Sequence, residues 1–224
     1  MQQVREDFDR IASLMARERE LPETYADYLL SHVPHGCGEA LDIGCGLGAF
    51  ARRVAGRAAR VTAIDLSAEM IAVARKRSAN FPNLEFALCD FLQAPLPLES
   101  YDLIITLATL HHLPLKEALG RIKSLLRPGG VLILHDLLAA SGPFDRAFDL
   151  VRLPVSMLVR LRNGGRLIPR AEVRRAWQEH GKHESYLTPR EVLAMRDEHF
   201  PGGRVHRHFL WRYTVIWQKP DAAS

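Results

Sequence analysis

Asp42-Ile43-Gly44-Cys45-Gly46-Leu47-Gly48 is the stretch of this 224-residue chain whose residue types and spacing point most directly to chemistry. Glycines at alternate positions let the backbone turn sharply and let a ligand approach where a Cβ would stand in the way. Free N–H groups at the start of a following helix favour negative or hydrogen-bond-accepting ligand groups. Asp65, 21 positions after Gly44, ends the next apolar run, where a carboxylate can accept both hydroxyls of a ribose. Cys89-Asp90-Phe91 closes the run after that, with an acceptor for an exocyclic amine and a ring to pack near a base. Two later pairs, His111-His112 and His135-Asp136, carry imidazoles and a carboxylate suited to proton transfer, substrate contact or metal binding.

Elements that would hold these groups in place follow from hydrophobic periodicity. Val4, Phe8, Ile11, Leu14 and Met15 recur on one helical face within Val4–Glu18, and a second helix over Pro22–Val33 is stopped by Pro34-His35-Gly36. Short apolar runs at Ala40–Ile43, Val61–Ile64, Leu84–Leu88, Leu103–Leu107 and Val131–Leu134 read as strands buried on both faces. Helices over Leu47–Ala55, Ala68–Ser78 and Leu115–Leu126 separate them, and that alternation implies βαβ units and a parallel sheet. After Leu138 the rhythm changes. Ser141–Arg162 and Arg170–His180 read as helical, interrupted by Pro154 and by Asn163-Gly164-Gly165. Thr188-Pro189-Arg190-Glu191 then opens a short helix, with threonine as N-cap and Glu191 three residues on. Val205–Leu210 and Tyr213–Trp217 close the chain as an antiparallel hairpin, with Phe209, Trp211 and Tyr213 expected on one face. The organisation expected is one domain: N-terminal helices over 1–35, a ligand-binding core over 36–140, a helical insertion over 141–187, and a closing helix and hairpin over 188–219.

Composition narrows the classes. With 47% apolar and 25% charged residues the chain can bury a core, which excludes wholesale disorder. It has no run of about 18 uncharged apolar residues, and Met1 to Glu20 lacks the apolar stretch of a secretory signal. Cys37, Cys45 and Cys89 form no CxxC pair, which argues against a disulfide framework or zinc finger and points to the cytoplasm. Residues 1–140 hold 15 basic and 17 acidic residues, whereas 141–224 hold 15 and 9. A basic C-terminal part suits nucleic acid, an anionic membrane surface or an acidic substrate, and equally a solvated helix face.

Gly44-x-Gly46-x-x-Ala49 also satisfies the dinucleotide pattern, so an NAD-binding protein stays as an alternative. Three observations weigh against it. Asp42 would repel a pyrophosphate but suits a cation, Asp90 and Phe91 suit an adenine, and the loop follows two helices rather than an opening strand. A ligand with ribose, adenine and ammonium but no phosphate is S-adenosylmethionine. Over about Phe8 to Asp136 the chain resembles the class I S-adenosylmethionine-dependent methyltransferases, particularly the small-molecule group called type 11 or UbiE-like. The likeness is carried by Asp42-x-Gly44-x-Gly46-x-Gly48, Ala63-Ile64-Asp65-Leu66-Ser67 with Met70, Asp90, Tyr101-Asp102-Leu103-Ile104-Ile105 through Leu110-His111-His112-Leu113, and Leu126-Arg127-Pro128-Gly129-Gly130-Val131-Leu132.

The resemblance implies a Rossmann-like α/β fold: a seven-stranded mixed sheet of order 3-2-1-4-5-7-6, its last strand antiparallel, with helices on both faces. It implies a cofactor site of Asp42, Gly44, Cys45, Gly46, Gly48, Asp65, Leu66, Met70, Asp90, Phe91 and Leu107, and S-adenosylhomocysteine as product. Methyl transfer to an O, N or C atom of a small-molecule metabolite is the expected activity. RNA or protein methylation, or cofactor binding without catalysis, are the alternatives. His112 and His111 are the catalytic candidates, either as proton acceptors or as a structural feature of their loop. His135 and Asp136 are the substrate-binding candidates, unless Asp136 caps a turn. No metal is expected: where metal-dependent catechol methyltransferases carry an aspartate, this chain reads Thr106-Leu107-Ala108-Thr109. The apolar stripe of 141–187, from Phe144, Phe148, Leu150 and Val151 to Leu161, is accompanied by Arg146, Arg152, Arg160, Arg162 and Arg166. It reads as a lid over the acceptor, an interfacial membrane helix or a dimer contact, with Trp177 and Tyr186 as candidate pocket aromatics. No nucleic-acid partner is expected, since alternation on a strand accounts for the basic, aromatic tail better than stacking on bases.

Overall fold

The computed structural model describes residues 2–16, 18, 20, 23–140, 142, 145, 147–163, 168, 170–182 and 184–221. Helices α1 (Gln2–Met15) and α2 (Ala26–Leu30) lead into β1 (Cys37–Ile43), α3 (Ala49–Ala55), β2 (Ala58–Asp65), α4 (Ala68–Arg77), β3 (Leu84–Leu88) and β4 (Tyr101–Leu107). A 3₁₀ turn (Leu110–His112), α5 (Leu115–Leu125) and β5 (Leu126–Leu137) follow. The C-terminal part adds α6 (Asp149–Arg162), α7 (Ala171–His180), α8 (Pro189–His199), β6 (Arg204–Arg207) and β7 (Arg212–Gln218).

The seven strands form one sheet in the order β3-β2-β1-β4-β5-β7-β6, as the resemblance implies. β1 to β5 run parallel, and β7 runs antiparallel to both β5 and β6. Side chains alternate across a strand, so a sheet covered by helices on both faces needs apolar residues at every position. β4 shows this: Leu103 and Ile105 join the cluster on one face, Ile104 the cluster on the other, and all three are fully buried. Crossovers leave β1 toward β2 on one side, while β4 pairs on its other side. The helices after these strands therefore diverge, opening a crevice beyond the carboxyl ends of β1 and β4.

Thr188 caps α8 as its sequence implies. Its hydroxyl accepts from the Glu191 N–H while the Glu191 carboxylate accepts from the Thr188 N–H. Elsewhere the structure differs from the sequence reading. The second helix contracts to Ala26–Leu30, and Pro22 lies outside the described residues, as do Phe144, Arg146, Gly164, Gly165 and Arg166. Helix α6 continues through Pro154, although proline removes one helical hydrogen bond and crowds the preceding turn. In the tail, β6 ends at Arg207 and Trp211 has φ +46°, which breaks the strand alternation. Phe209, Trp211 and Tyr213 therefore share no strand face: Phe209 is exposed, Tyr213 is buried, and the Trp211 indole donates to Asp149 Oδ1 at 2.7 Å.

Ile104 packs at the centre of the strand that ends at the crevice. Ile104→Ala is expected to cost about 2–5 kcal/mol through lost burial and an unfilled cavity. A shift of the equilibrium urea midpoint toward lower urea reads the effect, and an unchanged midpoint contradicts it.

Candidate active site

The ends of β1 to β5 border one cavity of about 930 Å³. Its sheet-side wall is Asp42 to Leu47, Asp65, Leu66, Met70, Cys89 to Phe91, Leu107 to Thr109 and His112. The opposite wall comes from elsewhere: Val4 and Phe8 of α1, Ser156, Val159, Arg160 and Asn163 at α6 and its C-terminus, Trp177 of α7, and Leu210 to Arg212. Ten of the eleven expected cofactor residues thus meet around one space. The eleventh, Gly48, does not line it; it turns the chain into α3 at φ +76°, where a Cβ would strike the Phe86 ring.

Backbone hydrogen bonds fix the glycine loop. Gly44 and Cys45 N–H both donate to the Ile64 carbonyl, at 2.8 and 3.0 Å, and Gly46 N–H donates to Asp65 Oδ2 at 2.8 Å. Gly44, at φ +71°, leaves no room for a Cβ because the Thr109 side chain occupies its position. At Gly46, φ +52°, nothing lies within 4 Å, so its open side is space rather than packing. Ala108, on the far wall of the loop, also holds a left-handed φ of +51°, a strained conformation for a side-chain-bearing residue.

The sheet-side wall carries three carboxylates, Asp42, Asp65 and Asp90, with no lysine or arginine among its described residues, whereas Arg160, Arg170 and Arg212 line the opposite wall. Asp42 is buried, and among the described residues its carboxylate accepts no hydrogen bond. Burial, and then repulsion from Asp65, push its carboxyl up to about 7. Asp65 is also raised by burial, but N–H groups of Ser67, Gly46 and Leu66 offset part of the cost. Each Asp65 oxygen is engaged by backbone, Oδ1 by Ser67 N–H at 2.9 Å, yet each has a second lone pair left for a ligand hydroxyl. Asp90 Oδ1 accepts from Leu92 N–H at 2.9 Å, and the Phe91 ring beside it lies under the Arg121 guanidinium. A buried carboxylate without a partner fits a cationic ligand group, and an open glycine beside it fits close backbone approach.

The histidines divide. His112 lines the cavity and packs edge-on against Phe8; burial, with His111 and His180 nearby, pushes its imidazole down to about 3. His111 lies outside the lining, its Nδ1 2.7 Å from Asp136 Oδ1. Asp136 is thus engaged with His111, whose N–H it also accepts, and with Leu137 N–H rather than with the cavity. His135 sits behind the wall, its Nδ1 2.8 Å from Thr214 Oγ1 and its ring against Tyr25 and His208. Burial, with Arg212 and His208, pushes His135 down to about 2. Trp177 lines the cavity, whereas Tyr186 packs edge-on against His111. Sequence reasoning missed Glu184, whose Oε2 lies 3.0 Å from His112 Nδ1 and 3.5 Å from His111 Nε2. It lies over 70 positions from both, and no periodicity links them.

A family model described as a methyltransferase domain matches residues 40–130, the span that carries the glycine loop, Asp65, Asp90 and both histidines. Over that span the chain is similar to the class I S-adenosylmethionine-dependent methyltransferases. An uncharacterized methyltransferase of Mycobacterium bovis is 38% identical over 109 residues, covering 48% of this chain and 55% of the relative. A malonyl-[acyl-carrier protein] O-methyltransferase of Pectobacterium atrosepticum is 39% identical over 140 residues, 61% of this chain and 53% of the relative. The chain thus spans little more than half the length of these curated relatives. The crystal structure of the [4+2]-cyclase SpnF superposes with a TM-score of 0.65 at 19% identity, over 99% of this chain and 96% of that one. That likeness speaks for the fold alone, since one fold serves many reactions.

Asp42 makes stability depend on pH in a defined direction. Folding raises its pKa from an ordinary 3.8 to about 7, so between those values the folded state holds a proton that the unfolded chain has released. Its contribution to stability is therefore lost as pH rises through that window. Without ligand, Asp42→Asn is expected to melt higher than the parent at pH 8, by up to about 4 kcal/mol, with a much smaller gap at pH 4. Melting curves of both proteins across that range check it; a gap that does not grow with pH contradicts the assignment.

Proposed function

We propose that this chain transfers a methyl group from S-adenosylmethionine to an oxygen, nitrogen or carbon atom of a small-molecule acceptor, releasing S-adenosylhomocysteine. The observation that carries the reading is Asp42, a buried carboxylate without a hydrogen bond among the described residues, beside Asp65 in one cavity. A pyrophosphate would meet two carboxylates there, whereas an ammonium and a ribose find a counter-charge and a hydroxyl acceptor. When bound, S-adenosylmethionine supplies a methyl carbon activated by its sulfonium.

The remaining work falls to the chain's own residues. Asp42 holds the ammonium, Asp65 the ribose hydroxyls and Asp90 the adenine amine, while Leu66, Met70, Phe91 and Leu107 pack against apolar surface. Gly44, Cys45 and Gly46 bring backbone close to the ligand, and Gly48 sets the entry into α3. An imidazole with a pKa near 3 captures protons poorly at neutral pH. We therefore assign His112 to shaping the acceptor side of the cavity, with His111 and Asp136 bracing it from behind and His135 supporting β7. Helices α6 and α7 serve as a lid, because α6 turns Ser156, Val159 and Arg160, and α7 turns Trp177, toward the cavity. Leu150, Leu153, Leu158 and Leu161 on the exposed side of α6 are the surface for any peripheral membrane contact. No described helix is long and apolar enough to cross a membrane. Relatives named for malonyl-[acyl-carrier protein] O-methylation favour oxygen as the acceptor atom. Three free cysteines suit a reducing cytoplasm.

Calorimetric titration tests the reading. Micromolar binding of S-adenosylmethionine and S-adenosylhomocysteine is expected, with none of NAD. Asp65→Ala is expected to weaken both by at least about tenfold, since hydrogen bonds to a charged acceptor contribute about 1.5–3 kcal/mol each. NAD binding, or affinity indifferent to Asp65, contradicts the assignment.

A further inference from the structure

Behind the cavity wall, His111, His112 and Glu184 bring three donor atoms to one point. Their side chains are 8%, 5% and 7% exposed. Nδ1 of His112 and Nε2 of His111 lie 3.0 and 3.5 Å from the same oxygen, Glu184 Oε2, and all three atoms lie within 4.8 Å of one another. A tetrahedral ion with bonds of about 2.0–2.1 Å spaces its ligands about 3.3 Å apart. Little movement would close this trio on one ion.

Four further observations favour an ion over a hydrogen-bonded trio. Nδ1 of His112 is buried without a hydrogen-bond partner, because its carboxylate neighbour at 3.0 Å lies off the line of a hydrogen bond. The His111 ring is braced from behind, Nδ1 against Asp136 Oδ1 at 2.7 Å, which leaves Nε2 facing Glu184. A carboxylate on the far nitrogen is how a liganding imidazole is oriented and its tautomer fixed. His180 repeats the pattern on the other oxygen, with Nδ1 3.2 Å from Asp7 Oδ2 and Nε2 3.6 Å from Glu184 Oε1. Among the described residues, the salt bridges of Asp7, Asp136 and Glu184 run only to these imidazoles, so three carboxylates converge here without a lysine or arginine.

We propose that His111 Nε2, His112 Nδ1 and Glu184 Oε2 bind a divalent transition-metal ion of the zinc class. Two imidazoles with one carboxylate suit zinc and its neighbours, whereas magnesium and calcium take oxygen sets. This departs from the sequence-based expectation of no metal, which rested on Thr106 to Thr109 in place of an aspartate at the end of β4. Because His112 also lines the cavity, the ion lies within one side chain of the acceptor space, where it would hold or polarise an oxygen-bearing acceptor. The site stands on its own geometry and goes beyond the methyl-transfer reading.

The test uses the full chain, stripped with EDTA, equilibrated with zinc chloride and desalted, with metal measured by mass spectrometry. About one zinc per chain is expected, and cobalt(II) in its place should give the visible bands of a four-coordinate site. Glu184→Gln should lower zinc affinity at least tenfold. Asp136→Asn, which touches no ion, should lower it by about 10–100-fold. His206→Gln should keep the zinc. S-adenosylhomocysteine binding, followed in each variant, shows that the fold survives and separates failure of the metal site from failure of the cofactor assignment. Substoichiometric zinc in the parent at micromolar zinc overturns the proposal. So does zinc retained by both Glu184→Gln and Asp136→Asn, or zinc lost on His206→Gln.

Discussion

The Asp65 carboxylate joins the two pieces of chain on which the cavity depends. One oxygen holds the Gly46 N–H of the loop after β1, and the other holds the Ser67 N–H at the start of α4. Those contacts fix the loop at the end of β2 and set the direction of α4, which carries Met70 into the cavity. They also keep a carboxylate at the switch point of the sheet, where diverging helices leave space for a ligand. Without them the turn through Gly44 and Gly46, both at positive φ, would rely on the Ile64 carbonyl, the Gly48 N–H on the Cys45 carbonyl and the Thr109 hydroxyl on the Gly44 carbonyl.

Several groups around this space are held against their own preference. Asp42 is a buried carboxylate beside a second one, Ala108 and Trp211 hold left-handed backbone, and His112 is an imidazole whose Nδ1 lacks a partner. Each is destabilising alone, and all of them border one cavity. Such a concentration marks a place shaped for a ligand rather than for stability. The surrounding sheet, with β4 buried on both faces, supplies the stability that makes this tolerable.

Much of this was legible in the sequence, for physical reasons that can be named. The parallel strands announce themselves because a strand covered on both faces must be apolar throughout, and the glycine loop because a sharp turn excludes most other residues. Thr188 and Glu191 mark a helix start by spacing alone. What stayed hidden is long-range. Nothing in the sequence places Glu184 between two histidines more than 70 positions earlier, or sets Phe8 against His112. Local rules also misjudged α6, which runs on through Pro154, and the tail, where a left-handed Trp211 ends the alternation that strand patterning assumes. Gly48 matched the loop motif, yet its place is conformational; the motif does not distinguish a glycine that meets ligand from one that meets Phe86.

The most direct test of the account is the number of protons released when S-adenosylhomocysteine binds, from calorimetry in buffers of different ionisation enthalpy. If Asp42 is mostly protonated in the free cavity and gives up that proton to face the ligand's ammonium, binding at pH 6 should release about one proton. Release should fall toward zero above pH 8 and vanish in Asp42→Asn. Binding that releases no proton at pH 6, or the same release from Asp42→Asn, would contradict the claim that this buried carboxylate is the cavity's cation site.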